Sequence, residues 1–135
     1  MKRILAVMLL LLMTAGLFGC QKEEVKNEIP TEYSEIGQGE RAFMFSVTGK
    51  DGETKSFLVS TDAKTVGQAL LDLGLIEGED GPYGLFVKKV NGERADYDKD
   101  KVYWAFYVDG EYATSSVDKT EIEEGKVYAF KVMKA

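Results

Sequence analysis

Three observations in residues 41–135 predict an α+β domain with a β-grasp-like sheet. Two alternating apolar runs flank a glycine turn, one segment has helical periodicity behind a capping residue, and three more β-prone runs follow. The expected order is β-β-α-β-β-β, with one short helix packed on the sheet. A small all-β sandwich is the alternative, and the capped helix argues against it.

The first strand is Ala42 to Thr48, which puts Phe43, Phe45 and Val47 on one face. Gly49-Lys50-Asp51-Gly52 turns the chain, and Lys55 to Ser60 returns with Phe57 and Val59 in the same alternation. The period then changes. Val66, Ala69, Leu70 and Leu73 fall at i, i+3, i+4 and i+7, on one side of a helix. Thr65 with Gln68 three residues later is a capping-box pattern, and Gly74-Leu75 reads as a left-handed C-cap. A helix of roughly two and a half turns must pack on the sheet to persist. Glu77 to Gly84 reads as an acidic, glycine-rich loop. Leu85 to Val90 is a strand that ends at the hairpin signal Asn91-Gly92. Lys101 to Val108 is the most β-prone run, closed by Asp109-Gly110 and a short return, Glu111-Tyr112-Ala113. Glu124-Gly125 leads into the last strand, Lys126 to Met133.

Residues 1–19 read as a secretory leader. Lys2 and Arg3 precede an apolar run from Ile4 to Phe18, shorter than the roughly 20 residues of a spanning helix. The run closes in Leu17-Phe18-Gly19-Cys20, which resembles the bacterial lipobox, so Cys20 is expected to carry lipid and to become the N-terminus. It is the only cysteine, which also explains the absence of a disulfide framework. Two acyl chains suffice for stable anchoring without a basic patch. Residues 20–40 are polar and poor in apolar side chains, and are expected to form a disordered tether reaching about 25 Å. The partner expected at Cys20 is thus membrane lipid, with the domain on the extracytoplasmic side. Without Lys2 and Arg3 the chain keeps 15 basic and 23 acidic residues, a net charge of −8. That charge excludes nucleic acid as a partner.

The chain has no histidine, and its one thiol is assigned to lipid. Cys-His and Ser-His catalysis and the usual zinc ligand sets are therefore absent, and the reading is of a non-enzyme that needs no cofactor and holds no metal. Asp96-x-Asp98-x-Asp100 matches the start of an EF-hand loop, but Lys101 and Tyr107 stand where that loop requires glycine and glutamate. It reads as an acidic connection. The aromatic residues offer more. Trp104 and Phe106 share one face of their strand with Val102 and Val108, as structural core, while Tyr103 and Tyr107 take the other. Tyr103, Tyr107 and Tyr112, with Tyr83 from the neighbouring loop, are the candidate ligand-binding residues. Tyrosine offers an apolar body and a polar tip. Cross-strand pairing that only stabilises the sheet is the alternative for them.

Tyr103-Trp104-Ala105-Phe106-Tyr107-Val108-Asp109-Gly110-Glu111 resembles the centre of the bacterial domains that share their fold with the C-terminal domain of transcobalamin and intrinsic factor. Thr65-Val66-Gly67-Gln68-Ala69-Leu70, Val90-Asn91-Gly92 and Val117-Asp118-Lys119-Thr120 with Glu124-Gly125 follow the same family's order. The resemblance covers roughly Thr61 to Phe130. Ser116 departs from the glycine usual before Val-Asp, and Val132-Met133 stands where the vertebrate domains end near a tryptophan. The resemblance implies the fold, and a corrinoid such as cobalamin, or a similar planar metabolite, as the small ligand. Two functions follow as expectations. One is a lipid-anchored, non-catalytic extracytoplasmic binding module that hands its ligand to a membrane or envelope protein. The other is a protein-interaction or surface-display module with no small ligand.

Overall fold

The computed structural model describes residues 32–135; the expected leader, Cys20 and most of the expected tether lie outside that range. Its first element corrects the tether boundary. Ser34–Gly37 forms strand β1, laid parallel to β3 (Thr54–Thr61), with Ile36 opposite Val59. The half-buried Ile36 packs on the core, so one apolar residue in a polar stretch is enough to recruit four residues to the sheet.

β2 (Arg41–Thr48) and β3 form the expected hairpin, in register from Arg41 opposite Thr61 to Thr48 opposite Thr54. Phe43, Phe45 and Val47 are buried along one face, as the alternation predicts. Helix α1 (Val66–Asp72) then crosses the sheet, burying Val66, Ala69 and Leu70 in the same cluster as Phe43, Phe45 and Val59. The Thr65 hydroxyl accepts the Gln68 N–H at 3.1 Å, a cap worth about 1 kcal/mol. Only half of the capping box forms. The Gln68 side chain donates instead to Asp72, one turn along, at 2.7 Å. Gly74 takes φ 70°, and the Leu75 N–H returns to the Leu70 carbonyl, closing the helix as expected.

The next segment overturns the loop expected over Glu77 to Gly84. Ile76–Gly81 is strand β4, antiparallel to β5 (Gly84–Val90), with a bulge between Glu77 and Gly78. Acidic side chains hid the strand; the backbone ladder to β5 holds it, and across that ladder Glu77 pairs with Lys89 at 3.2 Å and Glu79 with Lys88 at 3.0 Å, both exposed and worth little. The Asn91-Gly92 turn adds β6 (Glu93–Arg94) to this three-stranded sheet, order β4-β5-β6. A one-turn helix α2 (Tyr97–Asp100) leads to β7 (Val102–Val108), then β8 (Glu111–Tyr112), a 3-10 turn (Val117–Lys119) and β9 (Val127–Lys134).

The six-stranded sheet runs β1-β3-β2-β9-β7-β8, with β2 and β9 parallel at its centre. The fold is therefore α+β and mostly strand. Its core is an aromatic stack across the central strands: Phe43 meets Tyr128 edge-on at 5.4 Å, and Phe106 lies 5.0 Å from Phe130. Tyr128 is fully buried, and its hydroxyl accepts the Glu123 N–H at 3.0 Å and donates to the Glu121 carbonyl at 3.3 Å. Among the described residues no helix is long and apolar enough to cross a membrane.

Candidate functional site

A cleft of about 500 Å³ opens where the small sheet meets the β7–β8 end of the large one. Its floor is apolar, from Leu85, Val87, Trp104 and Phe106. Its rims carry Tyr83, Phe86, Tyr103 and Tyr112, together with the hydroxyls of Thr114, Ser115 and Ser116. Pro82 and Tyr83 form the two-residue turn between β4 and β5, which lifts Tyr83 into solvent at 88 % exposure. Tyr112 is set by the Asp109-Gly110 turn, whose residues adopt φ 51° and 82°, opposite Tyr107.

The structure brings three of the four candidate tyrosines to this cleft and leaves the fourth outside it. Tyr107 lies on the outer face of the large sheet, edge-on to Tyr112 at 5.6 Å and under the Lys131 ammonium at 5.3 Å. Tyr112 therefore joins the two places. The neighbouring Tyr103 hydroxyl, and then burial, raise the Tyr112 phenol above its ordinary 10.0, so it is a neutral hydrogen-bonding group across the physiological range. Trp104 and Phe106 are buried at 5 % and 8 %, with the Trp104 indole N–H donating to the Glu93 carbonyl at 3.1 Å. Phe86 and the Thr114-Ser115-Ser116 run were not foreseen as lining. Phe86 could have been found as an aromatic placed one residue out of phase with the buried Val87.

Asp118 locks the two rims together. Its Oδ1 accepts the Leu85 N–H at 3.0 Å and the Ser116 hydroxyl, tying the base of the β4–β5 turn to the loop after β8. Ser116 thus supplies a hydrogen bond. Gly84 faces these groups so closely that a Cβ would lie 2.1 Å from the Ser116 hydroxyl oxygen. Partial burial works to raise the Asp118 pKa, but the hydrogen bonds from Ser116 and Leu85 outweigh it and hold the carboxyl below its ordinary 3.8. A folded-state pKa below the unfolded one stabilises above the unfolded value and loses that stabilisation as pH falls through the folded value. Asp118→Asn is expected to be less stable than the parent at neutral pH, with the gap closing below about pH 4. Urea midpoints at pH 7 and pH 3 check this; a gap that stays constant would remove Asp118 from the acid response. Asp96, also lowered, foremost by the Lys99 N–H, keeps some acid sensitivity in the variant.

Two of the three aspartates of residues 96–100 have structural partners. Asp96 caps α2 through the Asp98 and Lys99 N–H groups at 3.0 and 3.1 Å, and Asp100 pairs with Lys50 at 3.3 Å. Among the described residues no three or more His, Cys, Asp or Glu side chains gather to hold a metal ion.

A family model described as a domain of unknown function, DUF4430, matches residues 63–134. The chain belongs to that family. The match takes in α1, the three-stranded sheet and β7 to β9, and leaves β1 to β3 outside it. A crystal structure from Ruminococcus gnavus, of a protein provisionally named metal-binding, superposes with a TM-score of 0.67 at 31 % identity, covering 71 % of this chain and 99 % of that one. Haptocorrin in complex with Cbi superposes with a TM-score of 0.53 at 16 % identity, covering 70 % of this chain and 25 % of haptocorrin. The second likeness is one of fold, in keeping with the resemblance to cobalamin-carrier domains. No curated protein sequence matches.

Proposed function

We propose that this DUF4430 domain is a non-catalytic, lipid-anchored module on the extracytoplasmic face, and that it binds a planar small ligand in the Tyr83–Tyr103–Tyr112 cleft. The observation that carries the reading is the cleft itself: an apolar floor under three tyrosines and a row of hydroxyls. Such a lining suits a ligand with a flat apolar body and a polar rim. A corrinoid has that shape, and the fold shared with haptocorrin, which was crystallised with Cbi, supports it as the first candidate. Met133 and Val132 lie opposite Tyr103 and Trp104, so contacts that a tryptophan would make at that strand end have no counterpart here.

The anchor rests on Cys20 and the leader before it. The non-catalytic assignment rests on the lack of histidine and on carboxylates engaged in caps and pairs. The sheet order β3-β2-β9-β7, with its parallel central pair and α1 crossing it, supports a β-grasp assignment for the large sheet; the three-stranded sheet is then an insertion after the helix.

Trp104 walls the cleft and is the only tryptophan, so its fluorescence reports occupancy. Titration with cobalamin and cobinamide is expected to give saturable quenching, and Tyr83→Ala with Tyr112→Ala to weaken binding about tenfold through lost stacking. Silence at high micromolar corrinoid, confirmed by calorimetry, would remove the corrinoid. Undiminished binding by the double variant would remove the cleft.

A further inference from the structure

The cleft presents backbone as well as side chains. Asp109 and Gly110, both at positive φ, form a type I′ turn, so the adjacent Val108 and Glu111 are a hydrogen-bonded pair. Alternation along an antiparallel strand then fixes the direction of each backbone group in β7. Those of Tyr103, Ala105 and Tyr107 face β9, and those of Val102, Trp104 and Phe106 face the side on which β8 lies. The Phe106 carbonyl accepts the Ala113 N–H at 2.9 Å, as this alternation requires. There the ladder stops. β8 ends at Tyr112, and the chain leaves through residues 114–116, which line the cleft. Among the described residues no strand pairs with β7 on this side beyond that point, and the Trp104 and Val102 N–H and C=O groups have no backbone partner there.

A disc-shaped ligand stacked on the tyrosines leaves that row of donors and acceptors unused, whereas an extended peptide matches it group for group. Charge narrows the peptide. Among the described residues Lys119 is the only charged side chain lining the cleft, the neighbouring Asp118 carboxylate being taken up by Leu85 and Ser116, in a chain of net charge −6. A carboxylate is attracted there and repelled by most of the remaining surface. We infer that the open edge of β7 accepts an extended acidic segment of a partner protein, which takes up the line of β8 for about four residues. The inference rests on the cleft assigned above but not on its small ligand. Peptide and planar ligand would occupy the same volume and exclude each other.

The test uses the detergent-solubilised full chain and an acetylated peptide of alternating threonine and valine ending in glutamate. Amide exchange at Val102 and Trp104, read by NMR, is expected to slow by about tenfold with the peptide. The same peptide N-methylated at alternate residues keeps its side chains but loses one pairing edge, and is expected to have no effect. Lys119→Glu, an exposed change that leaves the core intact, should weaken binding about fivefold at low salt. No slowing at millimolar peptide, or equal protection by the N-methylated form, would overturn strand addition, and unchanged affinity in Lys119→Glu would overturn the acidic partner. Corrinoid binding without peptide protection would sink this inference and leave the earlier reading intact; peptide protection without corrinoid binding would do the reverse.

Discussion

Gly67→Ala is expected to cost about 3 kcal/mol of folding stability, although alanine is the better helix former by about 1 kcal/mol. Gly67 is the second residue of α1, and a Cβ there would fall 2.5 Å from the Asp118 Cα and 2.7 Å from its N. Both are backbone atoms of the 3-10 turn, so no side-chain rotation relieves the overlap. The turn cannot simply retreat. The Val66 N–H donates to the Thr120 carbonyl at 2.9 Å, the Ile122 N–H donates to the Lys64 carbonyl at 3.0 Å, and Val117 is buried beneath them. Pushing Asp118 outward would also stretch its bond to Leu85 and loosen the cleft rim. Urea denaturation of Gly67→Ala beside Gln68→Ala provides the check. The exposed neighbour loses only its bond to Asp72 and is expected to change by less than about 0.5 kcal/mol. A Gly67→Ala loss under about 1 kcal/mol would mean that helix and turn separate easily.

Local chemistry made much of this fold legible. The alternation of Phe43, Phe45 and Val47, the helical spacing after Thr65 and the two turns at Asn91-Gly92 and Asp109-Gly110 each appear within a residue or so of their expected bounds. These signals are short-range, and neighbouring residues alone satisfy them. What stayed hidden depends on partners distant in sequence. β4 reads as a loop because what holds it is its backbone ladder to β5 rather than an apolar alternation of its own, and β1 reads as tether because Ile36 finds its core only after β3 is in place. The site divides in the same way. Strand alternation separates Tyr103 and Tyr107 from Trp104 and Phe106, but cannot tell which tyrosines a second sheet will face. Tyr83 reaches the cleft on a two-residue turn, Tyr112 on the short strand β8 and Tyr103 from the start of β7, while Tyr107, further along the same strand, stays outside under Lys131. Gly67 gave no signal of its own. Its meaning is the distance to Asp118, some fifty residues on, which only the assembled domain reveals.

Trp104→Ala should cost about 4 kcal/mol, a large share of the 5–15 kcal/mol typical of such a domain. Trp104 is 95 % buried against both sheets, and its indole N–H holds the Glu93 carbonyl. Glu93 is itself a junction. Its carboxylate accepts the Lys50 N–H at 2.9 Å from the β2–β3 turn, so one residue of β6 is fastened to the large sheet at two places. Removing the indole leaves a cavity at the seam and strips the Glu93 carbonyl of its indole donor. Two variants separate these effects. Trp104→Phe keeps most of the packing and loses the hydrogen bond, for an expected cost of about 1–2 kcal/mol. Trp104→Ala adds the cavity, and at roughly 4–8 °C per kcal/mol its melting temperature should fall by about 15–30 °C. Far-UV circular dichroism reads both, since neither variant keeps its tryptophan. The seam also predicts where the damage spreads. Amides of β5 and β6 should exchange faster in Trp104→Ala while those at the β2–β9 centre keep their relative protection, because the indole is one of the groups that join the small sheet to the large one. Uniform loss of protection would mean that the two sheets unfold as one unit, and a Trp104→Ala cost below about 1 kcal/mol would mean that the indole fills a seam the domain can close without it.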